Sequence, residues 1–226
     1  MAVTTDKIRN IGLVGQRGAG KSTFAEAMAF SAGVTNRLGN ISDGSTISDY
    51  TEEEKARQTS LNLSVLHFPW KGCKINCIDL PGHMDFIGDV LSGLAVVDSV
   101  LMIINAGSGV EVGTMQYFNH LERLNRPTLF VVNRLDKENT DFGTNIKALQ
   151  EAFGSKAIPA NLPIGKAEGF KGVIDLVKMK AVLYDDKGKQ TIEDVPANMT
   201  AEAETARSKL METVAESDDR LLEKFF

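Results

Sequence analysis

The chain is predicted to fold as a doubly wound α/β domain, built on a mostly parallel sheet, with a small α+β subdomain inserted toward its C-terminal side. Three observations predict this. Near-continuous apolar strands alternate with helical patterns through roughly the first 150 residues, as in a parallel sheet covered on both faces. A glycine-rich octapeptide, Gly15-Gln16-Arg17-Gly18-Ala19-Gly20-Lys21-Ser22, joins the first strand to the first helix. From Ser155 onward the rhythm breaks into short segments punctuated by Pro159, Pro163, Gly165, Gly169 and Gly172. The expected division is a core over 1–154 and an α+β insert over 155–226.

Each element has its own warrant. Ile8, Ile11, Leu13 and Val14 make the first strand, and Thr23 to Ala29 opens a helix after the octapeptide. Strands follow at Cys73–Asp79, Ser99–Asn105 and Thr128–Asn133, with helices at Phe86–Val97, Val112–Leu124 and Phe142–Phe153. Asn36 to Ser60 is long and polar, with Gly39, Gly44 and the cluster Glu52-Glu53-Glu54-Lys55. A compact domain rarely keeps such a loop unless it works for function. In the insert, Met179–Tyr184 and Asp186-Lys187-Gly188-Lys189 suggest a hairpin. A helix then starts with Thr200 as N-cap, with Glu202 and Glu204 in its first turn. Leu221, Leu222, Phe225 and Phe226 form an uncapped apolar stripe at the end, which reads as a piece of a longer protein.

Composition narrows the class. The 226 residues carry 42% hydrophobic and 24% charged side chains and a net charge of −5, the balance of a globular protein. No run of about 18 apolar residues could span a membrane, and Met1 to Lys7 lacks the build of a signal peptide. Cys73 and Cys77 sit at i and i+4 of one strand, too far apart to pair easily, and read as reduced thiols of a cytoplasmic protein. From Glu193 to Phe226 there are nine acids against four bases. This acidic half disfavours nucleic acid and fits either a solvated helix face or a basic protein partner.

The octapeptide carries the sharpest chemistry. G-x-x-x-x-G-K-S is the phosphate loop of nucleoside triphosphatases: backbone N–H groups wrap phosphate oxygens, Lys21 reaches the terminal phosphates, and the Ser22 hydroxyl can ligate Mg²⁺. The strand–loop–helix setting aims a helix N-terminus at the phosphates, so Gly15 to Thr23 form the expected phosphate site. Asp79-Leu80-Pro81-Gly82-His83 follows a strand. Its Asp79 offers a carboxylate to the Mg²⁺ shell, and the Gly82 N–H can sense a γ-phosphate. Asn133-Arg134-Leu135-Asp136 has the form of a guanine reader, whose carboxylate accepts from the N1–H and the exocyclic amine. Adenine offers neither donor and would leave that carboxylate unpaired. Arg134 replaces the usual lysine, keeping the charge with a bulkier fork. The expected ligands are therefore GTP or GDP with Mg²⁺, and a metabolic ATPase is disfavoured.

In this order the three motifs resemble the translational GTPases. The segments LPIGKAEGFKGVIDLVKMKAVLY and EDVPANMTAEAETARSKLMETVAESDDRLLEKFF are similar to the inserted G′ subdomain of elongation factor G. The resemblance covers nearly the whole chain. It implies ribosome-stimulated GTP hydrolysis in translocation or ribosome recycling, with His83 orienting the attacking water. It also implies contact with the ribosomal GTPase-activating centre and stalk protein, a monomer, and no membrane or specific DNA partner. By the same resemblance 49–61 is the first switch segment, and Ser60 stands where a threonine normally ligates Mg²⁺ and touches the γ-phosphate.

Departures from the family pattern define the alternative. Arg17 stands at an apolar position and Gly18 at an aspartate associated with a monovalent cation. Gln58 takes the place of a glycine. The apolar gate around the catalytic histidine would pair the positions of Arg17 and Thr59, and neither residue is aliphatic. They mark a divergent relative, or a weakly hydrolysing, GTP-loaded ribosome-binding switch. The family's last guanine-backing motif does not occur before Phe226, so this polypeptide alone is expected to bind nucleotide weakly.

Overall fold

The computed structural model describes residues 3–155, 157–185 and 188–225. By compactness the chain divides into 1–133 and 134–226. The helix at Phe142–Phe153 therefore falls in the second unit, whereas the sequence rhythm changes only near 155.

In the first unit the strands are β1 (Ile8–Val14), β2 (Ser64–Trp70), β3 (Cys73–Asp79), β4 (Ser99–Asn105) and β5 (Thr128–Asn133). They form one sheet in the order β2-β3-β1-β4-β5. β1 runs parallel to β3 and β4, and β4 to β5. The parallel register pairs Leu13 with Asp79 and Asn105 with Asn133, so the carboxyl ends of these strands share one edge. That edge is where open α/β sheets bind ligands.

The helices here are α1 (Lys21–Ser31), α2 (Glu52–Arg57), α3 (Ile87–Val96) and α4 (Val112–Arg123). Both faces of the sheet are covered. Leu13, Ala25, Leu66, Phe68 and Cys77 bury together on the α1 side, joined by Ile11, Phe24 and Met28. On the opposite face Gly12 leaves room for Val97 and Val100. Gly93 of α3 lies so close to Leu80 that a Cβ would meet its Cδ2 at 2.4 Å. Cys77 is buried and Cys73 half-buried, both as free thiols; burial pushes the Cys77 thiol up to about 12, so it is inert.

β2 is the element the sequence reading lacks. It pairs antiparallel with β3 through Lys71 and Gly72, at φ 46° and 80°, the two left-handed residues of a tight hairpin turn. The long polar segment is also more ordered than a loop. It holds α2, opened by a reciprocal capping box between Thr51 and Glu54. Gln58 closes α2 in the left-handed region at φ 50°. The glycine-like conformation survives the glycine's loss, at about 1 kcal/mol.

The second unit contains α5 (Phe142–Phe153), a four-stranded antiparallel sheet of β6 (Asn161–Ile164), β7 (Gly172–Asp175), β8 (Lys180–Tyr184) and β9 (Gln190–Glu193), and the helices α6 (Thr200–Ala215) and α7 (Asp219–Phe225). Leu162, Ile174, Leu176, Ala203 and Leu210 form its core. The expected hairpin is β8–β9; Asp186 and Lys187 of its turn, like Phe226, lie outside the described residues. One expectation is corrected. Thr200 is the first helical residue and Met199 the N-cap, because the Thr200 hydroxyl donates back to the Pro196 carbonyl at 3.2 Å. Only Glu202 of the two acids falls in the first turn.

Candidate nucleotide site

The site grows from the turn between β1 and α1. Gly15 passes so close to β4 that a Cβ would meet the Ile103 carbonyl at 2.4 Å. Gly18 and Gly20 take φ of 78° and 96°, where side chains are costly. Gly20 is the N-cap of α1, which leaves the helix's first N–H groups free for an anion. Lys21 is buried. Its Nζ donates to the carbonyls of Gly15 at 2.9 Å and Gln16 at 3.2 Å, folding the side chain over the loop. Burial lowers its pKa, and the charges of Asp79 and Asp49 oppose that shift.

Asp79 ends β3 beside this loop. It is 1% exposed, and neither carboxylate oxygen has a hydrogen-bond partner among the described residues. Burial raises its pKa to about 6, against the pull of Lys21 and the nearby hydroxyls of Ser22 and Ser48. The Oγ atoms of Ser22 and Ser60 lie 3.1 Å apart, and Ser60 donates to Asp49 at 2.6 Å. Thr46 and Ser48 are also buried, each with an unpartnered hydroxyl. Of the expected metal set, Ser22 thus lies against half-buried Ser60 and near the buried Asp79.

Among the described residues no three His, Cys, Asp or Glu side chains could hold a metal by themselves. That fits Mg²⁺, which takes one or two carboxylates and completes its shell with substrate phosphates and water. An orphaned buried carboxylate beside hydroxyls is the donor set such an ion needs.

Gly82 joins the turn after β3 to the phosphate loop. A Cβ there would stand 2.4 Å from Lys21 Nζ and 2.8 Å from the Arg17 backbone nitrogen. His83 is held differently. Its Nδ1 lies 3.4 Å from the Asp85 amide and 3.3 Å from the Asp85 carboxylate, with the ring 6.0 Å from Phe86 and much of the side chain in solvent. Asn133, ending β5, donates from Nδ2 to the Ala19 carbonyl at 2.9 Å and so ties that strand to the phosphate loop. In the second unit Arg134 takes a left-handed φ of 65°. Asp136 is exposed, 3.3 Å from the Lys137 ammonium.

The departures meet in space. Arg17 Nε donates to Thr59 Oγ1 at 3.1 Å, so a hydrogen bond stands where the family pattern has an apolar gate. Sequence reasoning missed Thr46, Ser48, Asp49 and Glu26 as parts of the site. Thr46, Ser48 and Asp49 lie in an aperiodic polar segment, hinted at by its length and, for Asp49, by the switch resemblance, and Glu26 is an acid within a helix; none of them gives a burial signal.

Residues 6–219 match the elongation factor Tu GTP binding domain. The chain belongs to that family. It is therefore a guanine-nucleotide-binding domain of the translational GTPase type. A crystal structure from Thermus thermophilus is similar to it, with a TM-score of 0.91 and 32% identity over 97% of this chain. The chain spans 33% of that protein's length. Among the described residues no helix of this GTPase domain is long and apolar enough to cross a membrane.

Proposed function

We propose that this domain binds GTP with Mg²⁺ and hydrolyses it when the ribosome engages the protein, in elongation factor G-like translocation or recycling in the cytoplasm. One observation carries the reading: the buried, unpartnered Asp79 carboxylate beside Lys21 and Ser22. Gly15 to Thr23 would hold the phosphates, and Asn133, Arg134 and Asp136 the base. Ser22, Ser60 and Asp79 would hold Mg²⁺, which supplies charge neutralisation as the phosphoryl group transfers. The remaining work is positioning. Lys21 exchanges its two carbonyl partners for phosphate oxygens, and the Gly82 amide meets the γ-phosphate. His83 orients water once the ribosome draws it from Asp85. The 1–154 core and the G′-like 155–226 insert remain the functional division. The acidic residues of the insert, solvent-facing on α6, would steer the ribosomal stalk protein.

In the full-length protein, His83→Ala is expected to lower ribosome-stimulated phosphate release by about 10² to 10⁴ while GTP affinity stays unchanged. Equal release by both proteins would remove His83 from the chemistry. Gly82→Ala is expected to weaken binding of a GTP analogue about thirtyfold and of GDP less, because the added methyl displaces the amide proposed for the γ-phosphate and also crowds Lys21 and the Arg17 backbone of the phosphate loop. Titration of a fluorescent nucleotide reads both.

The hydrogen bond from Arg17 to Thr59 favours a second reading, a GTP-loaded switch that docks on ribosomes and barely hydrolyses. A wild-type protein that binds ribosomes with GTP and shows no stimulated phosphate release would establish it.

A further inference from the structure

Glu26 is a buried acid on α1 whose two oxygens reach different points of the polar segment. One oxygen accepts from the Gly39 amide at 2.8 Å and the other from the Ile47 amide at 2.9 Å. The residue is 2% exposed. Gly39 approaches so closely that a Cβ would meet the Ser45 carbonyl at 2.4 Å and the Glu26 carboxylate at 2.8 Å. The chain between the two amides closes on itself: Asn40 N donates to Ser45 Oγ at 2.9 Å, and Ser45 N to the Asn40 carbonyl at 3.1 Å.

The residues just beyond Ile47 give this clamp its meaning. Ser48 and Asp49 are buried, Asp49 accepts from Ser60, and Ser60 meets Ser22. Ser22 and Glu26 are i and i+4 on α1, adjacent on one helix face. The segment is therefore tied to α1 at two points one turn apart, through Glu26 to the Gly39 and Ile47 amides and through Ser22 to Ser60 and Asp49.

We propose that Glu26 is a positioning residue for the γ-phosphate and Mg²⁺ site, setting where Ser48, Asp49 and Ser60 stand relative to Ser22. The inference rests on the reading of this domain as a GTP-binding switch. A carboxylate suits the task because it accepts at both oxygens. A glutamine side chain in its place would present an NH₂ to one backbone N–H, leaving that donor unmatched. Because the resemblance puts Ser60, which this segment carries, at the γ-phosphate, its displacement should act more on GTP than on GDP.

The test compares wild type, E26Q and E26D in the full-length protein, with Mg²⁺ and either GDP or a non-hydrolysable GTP analogue. E26Q is expected to weaken the analogue about tenfold and GDP less than about twofold. The Gly39 and Ile47 amides should exchange hydrogen faster. E26D keeps the charge and should recover part of the analogue's affinity. Parallel loss of both nucleotides would make Glu26 a merely structural residue and overturn the proposal, as would unchanged amide exchange. Failure of wild type to bind either nucleotide would instead overturn the GTP reading, and the exchange comparison would still decide the clamp.

Discussion

Asp136→Asn is expected to lower GTP and GDP affinity by about a thousandfold or more and to admit xanthosine triphosphate in their place. In the proposed function the carboxylate would read guanine by accepting from N1–H and the 2-amino group. Asparagine presents an NH₂ toward one of those donors, so one bond is lost and two donors face each other. A site built around such hydrogen bonds rejects a mismatched partner by about 10⁴ to 10⁵. Xanthine carries a carbonyl where guanine carries the amine, and that oxygen accepts from the new NH₂. The fold should not register the change. Asp136 is exposed and its neighbour within ion-pair distance is Lys137 at 3.3 Å, a surface contact worth about 0–1 kcal/mol. Competition binding with both triphosphates, alongside a melting curve, separates the outcomes. Undiminished GTP affinity in a folded variant would remove Asp136 from base recognition.

How much of this was legible in the sequence depended on periodicity. β3, β4, β5 and α5 run from and to the residues expected: β4 and β5 are continuous apolar runs, β3 alternates Cys73, Ile75 and Cys77 with Lys74 and Asn76, and α5 is a strong helical repeat. β2 was not legible. As an antiparallel edge strand it buries Ser64, Leu66 and Phe68 and exposes Val65, His67 and Pro69, so apolar and polar residues occur on both faces. Its signal was the two-residue turn at Lys71-Gly72. The nearness of the phosphate loop, Asp79 and Gly82 was legible because each ends or follows a strand that ends at the same edge of the sheet. The carboxylate clamps were not. Glu54 accepts from the Leu61 and Asn62 amides and Glu26 from those of Gly39 and Ile47, so their partners lie 7 to 21 residues away at spacings no short pattern encodes. Arg17 and Thr59 show the intermediate case. Sequence said that an apolar pair was lost; the structure shows the hydrogen bond that took its place.

Asp79→Asn is expected to move stability in opposite directions with and without ligand. The sign follows from the shift. Burial raises the folded-state pKa of Asp79 to about 6 from an ordinary 3.8. The folded state therefore holds its proton more tightly than the unfolded chain does. Its contribution to stability falls as pH rises from about 4 through about 6, reaching a penalty of roughly 3 kcal/mol at neutral pH. That penalty already includes the attraction of Lys21. Asparagine carries no charge to desolvate, so the nucleotide-free variant should be more stable than wild type by about 1–3 kcal/mol at pH 7. At pH 4 the two should melt together. Carboxylates held low by their partners, such as Asp141 at about 2, act in the other direction below pH 4, and the difference between the two proteins cancels them. Saturating Mg²⁺ and nucleotide should reverse the order. In the proposed function a bound divalent ion would use the Asp79 charge, and ligand binding stabilises the folded state by RT ln(1 + [L]/Kd), a gain the asparagine variant would forfeit in large part. The metal also displaces the proton, so Mg²⁺ should tighten nucleotide binding more steeply at pH 7 than at pH 5 in wild type and not in the variant. Melting curves at both pH values, with and without Mg²⁺ and nucleotide, read all of this. A nucleotide-free variant less stable than wild type at pH 7 would show that the Asp79 carboxylate is satisfied by the fold itself rather than reserved for a cation.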